Sequence, residues 1–177
     1  HLGYDAPSLA GTAIGAGQLV GVVSALAFAP FRRVLGIMGV FGLGFVSAGA
    51  SFLLLSGAQS YAGVLAAMAV SGVCMGTIMP NFAAAAMLLA PPASRGRVSG
   101  LLVSAIFAGQ FLSPVVSQPL IALSGYARAY GLVGAVVLVF GVAALAIRLV
   151  RRRDGWVRQN PSGAAPRRRS SRRRARR

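Results

Sequence analysis

Side chains that could perform covalent chemistry are scarce in this sequence of 177 residues. The charged residues are 18 arginines, with no lysine, and two acids, Asp5 and Asp154, near opposite ends of the chain. Acid–base catalysis and nucleophilic triads need several such groups to converge. The single histidine, His1, and the single cysteine, Cys74, can form neither a Cys/His metal site nor an internal disulfide. The composition therefore argues against an enzyme, and no cofactor or metal is expected.

Polar side chains within long apolar stretches are the better candidates for function. They are Gln18, Cys74, Thr77, Asn81, Ser104 and Gln110. Three prolines accompany them, Pro80, Pro114 and Pro119, and each removes a backbone hydrogen bond, which predicts kinked helices. In lipid, polar side chains need a partner on a neighbouring helix or a water-filled cavity. For any single residue the interhelical hydrogen bond is favoured, whereas as a group they are candidates for the lining of a substrate cavity.

The elements that position these residues are long apolar segments. The chain is 56% hydrophobic and only 11% charged, which is well below the charged fraction of soluble domains. Five apolar stretches are each long enough, at about 1.5 Å per residue, to cross the hydrocarbon core. They are residues 8–29, 35–56, 61–90, 98–124 and 129–150. The sequence thus predicts an all-α membrane protein whose transmembrane bundle spans residues 1–150.

Glycines recur at helical spacing within these stretches. Pairs four residues apart are Gly11/Gly15, Gly17/Gly21, Gly72/Gly76 and Gly96/Gly100, and Gly36, Gly39 and Gly42 are three apart. Small residues at this spacing let helix backbones approach closely in lipid. We interpret them as packing positions of a helical bundle and not as a ligand site.

Arginine distribution predicts the orientation. If the breaks between spans alternate sides, 17 of the 18 arginines lie on one side and Arg128 alone lies on the other. Arginine-bearing segments are retained in the cytoplasm. This predicts a multi-pass protein of the cell (inner or plasma) membrane with its N-terminus outside and its C-terminus inside. The loop arginines on the cytoplasmic side are Arg32, Arg33, Arg95 and Arg97.

The segment 151–177 differs sharply in composition from the rest of the chain. It is rich in arginine, contains almost no apolar residues, and is predicted to be a disordered cytoplasmic tail because like charges repel and no core can form. A solvated tail that reinforces orientation is the favoured interpretation, and binding to anionic lipid is the second. Its one aromatic residue, Trp156, has no folded reader beside it, so no nucleic-acid partner is expected.

Three segments and one basic loop resemble parts of the major facilitator superfamily of transporters. Residues 71–81 resemble its tenth helix, with small residues followed by Pro80. Residues 90–101 are similar to its cytoplasmic loop into the eleventh helix, and residues 107–114 to the eleventh helix of its drug and sugar efflux members. Arg32 and Arg33 resemble the second-half counterpart of its basic loop, without that motif's acid.

The resemblance implies that the five spans are helices eight to twelve of the C-terminal half, and that an N-terminal half bundle is missing. An outside N-terminus that begins at His1, without a signal peptide, also predicts a fragment. The implied function is alternating-access transport of a small-molecule substrate across the lipid bilayer, with efflux expected and Gln18, Asn81 and Gln110 as contacts. No span contains an acid, lysine or histidine, so proton coupling would depend on residues outside this chain. The alternative is a non-transporting membrane anchor, accessory module or remnant whose basic tail binds anionic lipid or a partner.

Overall fold

The computed structural model describes residues 7–159, with side chains for residues 8–150. Within this part the chain is almost entirely helical, which confirms the predicted all-α class. The elements are α1 (Pro7–Leu26), α2 (Phe28–Ser56), α3 (Tyr61–Leu89), a 3₁₀ turn (Pro92–Ser94) and α4 (Arg95–Gln159).

Four of these helical stretches are long and apolar enough to cross a membrane. They are Ser8–Leu26, Phe28–Ser56, Tyr61–Leu89 and Pro92–Val150. The last of them, at 59 residues, contains both the fourth and the fifth predicted spans. The count of five membrane crossings therefore depends on how α4 is divided.

Two glycines interrupt the long helices. Gly36 in α2 has φ +67° and ψ 179°, and Gly125 in α4 has φ +76° and ψ 165°. Residues with a Cβ atom are strained in this backbone region, whereas glycine is not. Gly125 divides α4 into α4a (residues 95–124) and α4b (residues 126–159).

Two helix breaks differ from the sequence prediction. The first lies later in the chain than predicted, and the break near Gly125 is shorter than predicted. The sequence predicts a loop at residues 30–33, but these residues are helical, and the interruption comes at Gly36. Pro30 is compatible with this because it lies in the first turn of α2, where its missing N–H would have no partner within the helix. Similarly, residues 126–128 are helical directly after Gly125.

Helix α1 runs parallel to α3 and packs against it through glycines. The Tyr61 hydroxyl donates to the carbonyl of Leu9 at 2.9 Å, joining the N-terminal ends of the two helices. Further along, a Cβ atom added to Gly17 would lie 2.8 Å from the carbonyl oxygen of Met68, and one on Gly76 would lie 2.8 Å from the Ala25 nitrogen. The predicted packing role of the Gly17/Gly21 and Gly72/Gly76 pairs corresponds to this contact, whereas Gly11, Gly15, Gly96 and Gly100 face open space.

Helix α2 lies between α3 and α4b and is antiparallel to both. One face of small residues packs on α3, where Ser51 donates its hydroxyl to the carbonyl of Ala67 at 2.9 Å. The other face packs on α4b, where an added Cβ on Gly49 would lie 2.6 Å from the Leu138 nitrogen. These two faces make α2 the central helix of the described bundle, because small side chains on both sides allow two neighbours to approach it closely.

Segment α4a contributes no buried residue to this bundle. Helix α4 continues to Gln159, so the first nine residues of the predicted disordered tail, 151–159, are helical. Extending an existing helix costs far less free energy than nucleating a new one. This explains why α4 continues beyond the end of the apolar span. The rest of the predicted tail, residues 160–177, lies outside the described residues.

Candidate functional site

Three of the six candidate cavity residues lie together on the face of α3 that packs against its neighbours. Cys74, Thr77 and Asn81 are buried, and Thr77 and Asn81 have no exposed surface. Their spacing of three and four residues places them one above the other along one side of α3. They form a continuous polar line within the helix bundle.

Asn81 joins α3 to α2 beside the Gly36 break. Its Nδ2 donates to the carbonyl of Ile37 at 3.0 Å. Its Oδ1 is buried and has no hydrogen-bond partner among the described residues. An unsatisfied buried amide oxygen costs about 1–3 kcal/mol, so this acceptor is available to a water molecule or a ligand that can reach it.

Thr77 is satisfied within its own helix. Its hydroxyl donates to the carbonyl of Val73 at 2.7 Å, in the usual manner of a threonine in a membrane helix. Opposite it lies Gly44 of α2, where an added Cβ would lie 3.2 Å from the Thr77 hydroxyl oxygen. The Thr77 side chain therefore occupies the space between α2 and α3 that Gly44, which has no side chain, leaves free.

The other three candidates, Gln18, Ser104 and Gln110, are exposed. Gln18 lies on α1, and Ser104 and Gln110 lie on α4a, so the structure does not bring them together with the α3 line. Moving an amide without a hydrogen-bond partner into an apolar environment costs about 2–7 kcal/mol, depending on the reference state. These faces are consequently suited to a water-filled cavity or a further protein surface more than to lipid.

Each of the three prolines predicted to kink the helices lies inside a helix. Pro80 lies within α3, and Pro114 and Pro119 lie within α4a. The residues with non-helical backbone angles inside α2 and α4 are Gly36 and Gly125. The marked interruptions in these two helices therefore occur at glycine.

The loop arginines separate into different environments. Arg32 lies over the ring of Phe28, with its guanidinium carbon 5.9 Å from the ring centroid. Arg33 lines a groove together with Arg148, which lies near the end of the apolar stretch 129–150. Arg95 and Arg97 are exposed in the first turn of α4. The distance of 114 residues between Val34 and Arg148 explains why the sequence alone does not reveal their contact.

The combination of long apolar helices, close glycine contacts and a buried polar line within the bundle is typical of polytopic membrane proteins. The family model of the Major Facilitator Superfamily matches residues 1–177. The chain belongs to the major facilitator superfamily.

Membership of the major facilitator superfamily assigns the chain to the secondary transporters of small solutes. With four helices able to span a membrane, it is a multi-pass membrane protein. Comparison with curated proteins and with solved structures gives no significant match.

Proposed function

We propose that this chain supplies the C-terminal part of a secondary transporter that exports a small or amphipathic solute by alternating access. Its spans would correspond to helices eight to twelve of the superfamily, with α1, α3 and α4a on the side of the substrate pathway. A bundle equivalent to the N-terminal half would complete that pathway.

The observation that carries this proposal is the match of the whole chain, residues 1–177, to the family. The exposed amides on α1 and α4a support it. Gln18 and Gln110 lie within segments apolar enough to span a membrane, yet no described neighbour covers them. A transport pathway between two bundles would give these amides water and solute as partners.

Within the buried polar line of Cys74, Thr77 and Asn81, Asn81 is the residue proposed to contact the transported solute. Its Nδ2 is held by the carbonyl of Ile37, which fixes the side chain, while Oδ1 keeps its acceptor capacity. A solute hydroxyl or N–H group that reaches the α2–α3 contact would satisfy this oxygen. Asn81 therefore combines a fixed position with an available acceptor, which is what specific recognition requires.

The experiment uses the intact transporter that contains this chain. Gln18→Ala, Asn81→Ala and Gln110→Ala, combined, are expected to lower transport or change the range of exported solutes in membrane vesicles. The matched control is Gln59→Ala, since Gln59 is an exposed amide in the loop between α2 and α3. Unchanged transport and unchanged solute range in the triple variant would rule out this assignment of the site.

The size of the native product tests the proposal that the chain is part of a larger transporter. A C-terminal tag at the native locus should reveal a membrane protein more than twice the 18.1 kDa mass of this chain. A product near 18.1 kDa would contradict a single-chain transporter. Co-purification would then establish whether a second polypeptide supplies the other bundle.

A further inference from the structure

A groove lies near the arginine-bearing side of the bundle, beside the Gly36 break of α2 and the C-terminal end of α3. Its volume is about 610 Å³, and it lies between the Gly36 region of α2, the C-terminal end of α3 and Arg148 of α4b. Arg148 is two residues from the end of the apolar stretch Pro92–Val150, and Leu89 is the last residue of α3. The groove therefore lies at the level where spanning helices meet the headgroup region.

The groove has positive charge at one end, and no described side chain, from residue 8 to residue 150, gives it an acidic partner. Arg148 donates from Nη2 to the carbonyl of Val34 at 3.0 Å, and this holds its guanidinium beside Arg33 in the groove wall. The sequence has no carboxylate side chain between residues 8 and 150. A guanidinium has five N–H donors, so a single bond to Val34 leaves capacity for an anion.

The position of Arg148 depends on a glycine of α2. A Cβ atom added to Gly39 would lie 2.8 Å from Cδ of Arg148, so the arginine stem lies directly on the glycine backbone. Gly39 is buried, and Arg148 is half-buried. The charged end of the groove is therefore held in place by packing as well as by a hydrogen bond.

The rest of the groove wall is apolar and open to the surroundings. Met38 and Phe41 come from α2, and Ala85, Leu88 and Leu89 come from α3. Leu88 is 66% exposed and Leu89 is 85% exposed, so these side chains border the groove on its outer side. A small inorganic anion would use the arginines and leave this wall uncovered, whereas an acyl chain would cover it.

We propose that this groove binds an anionic phospholipid from the leaflet on the arginine-bearing side. The phosphate lies against Arg33 and Arg148, and one acyl chain follows the wall formed by Phe41, Ala85 and Leu88. Charge complementarity selects the anionic headgroup, and the apolar wall selects a lipid over a free phosphate. Both arginines lie outside the Arg-rich segment 151–177.

The test measures binding of phosphatidylglycerol to the full chain in detergent by native mass spectrometry. Arg33→Gln and Arg148→Gln are each expected to weaken binding about fivefold, the effect expected for one arginine beside an anionic surface. Ala85→Trp fills the groove without changing its charge and is expected to weaken binding by at least as much. Arg128→Gln is the matched control, because it removes an arginine from the opposite end of the bundle and should leave binding unchanged.

Three outcomes would overturn the proposal. Wild-type affinity in both Arg33→Gln and Arg148→Gln would show that these arginines do not bind the lipid headgroup. Full affinity in Ala85→Trp would show that no acyl chain occupies the groove. Competition by glycerol phosphate as effective as competition by phosphatidylglycerol would identify a site for soluble anions. Arg33→Gln keeps the test valid if Arg148→Gln disturbs folding, since Arg33 is exposed.

Discussion

At the residue scale, α2 contains two buried serines whose hydrogen bonds differ in kind. Ser51 donates across the bundle to the carbonyl of Ala67 at 2.9 Å, whereas Ser47 donates within its own helix to the carbonyl of Gly44 at 2.8 Å. Both are similarly buried, at 4% and 9% exposed. Comparison of the two serines therefore distinguishes the effect of an interhelical hydrogen bond from the effect of a bond within one helix.

We expect Ser51→Ala to lower the free energy of unfolding by about 0.6 kcal/mol, the average for an interhelical hydrogen bond in a membrane protein. Ser47→Ala should have a smaller effect, because it removes a bond made within one helix. Unfolding in mixed micelles with increasing sodium dodecyl sulfate measures both variants. An equal or larger loss for Ser47→Ala would contradict the role assigned to Ser51.

Residue types are easier to predict from this sequence than residue environments. Cys74, Thr77 and Asn81 are close in sequence, and helical spacing is enough to place them on one side of α3. Gln18 and Gln110 lie in other segments, and whether they face this line depends on how α1 and α4a are placed. By sequence, Arg148 lies at the end of the fifth apolar stretch, 129–150, and its contact with Val34 appears only when α4b is packed against α2.

At the element scale, the contact between α1 and α3 depends on glycine at its closest point. A Cβ atom on Gly72 would lie 2.9 Å from the Gly21 nitrogen, which is closer than real Cβ contacts. Gly72→Ala is therefore expected to force the helices apart and to cost about 1–3 kcal/mol of stability, the usual range for overpacking. The same unfolding assay in mixed micelles measures this loss.

Gly15→Ala is the control for that variant. Gly15 lies on α1 with no neighbouring atom within 4 Å of an added Cβ, so the substitution meets no steric obstacle. Alanine is the better helix former, and Gly15→Ala should leave stability unchanged or slightly raised. Equal destabilisation by the two variants would mean that the helices do not meet at Gly72.

The break between α4a and α4b provides a different kind of glycine prediction. Gly125 has open space around it, so its requirement comes from the positive φ of +76° and not from packing. Gly125→Ala is expected to destabilise the chain by about 1–3 kcal/mol through backbone strain. Gly109→Ala should not destabilise the chain, because Gly109 lies in open space within α4a and has no positive φ.

Protease resistance in detergent gives a second measurement of that break. If the Gly125→Ala variant relieves its strain by continuing the helix, the positions of cleavage around residue 125 would shift. Identical stability and cleavage in the Gly125→Ala and Gly109→Ala variants would contradict a required interruption at this residue.

At the scale of the whole molecule, the distribution of arginine predicts the topology. Impermeant maleimide added to intact cells should label Gln59→Cys in the α2–α3 loop, and should label Ala93→Cys in the α3–α4 connection only after permeabilisation. Both variants are made in a Cys74→Ala background. Wild-type Cys74 serves as the control, because it is buried and should react on neither side. The reverse labelling pattern would place the N-terminus in the cytoplasm.

The sequence by itself determined the class of the protein and the segments that form helices. Long apolar runs in a chain with two acids leave few alternatives to membrane-spanning helices, because backbone polar groups in lipid must be satisfied within the segment. The family resemblance of residues 71–81, 90–101 and 107–114 also required no coordinates. Each of these features depends on residues that are close together in the sequence, so the sequence is enough to predict it.

Only the tertiary structure decided which faces meet. The packing of α2 between α3 and α4b, the parallel contact of α1 with α3, and the groove that joins Arg33 to Arg148 all bring together residues from separate segments. In this composition many helix faces are equally apolar, so hydrophobicity does not select among them. Close approach does, since glycines such as Gly17, Gly49 and Gly72 let helix backbones come near enough to pack.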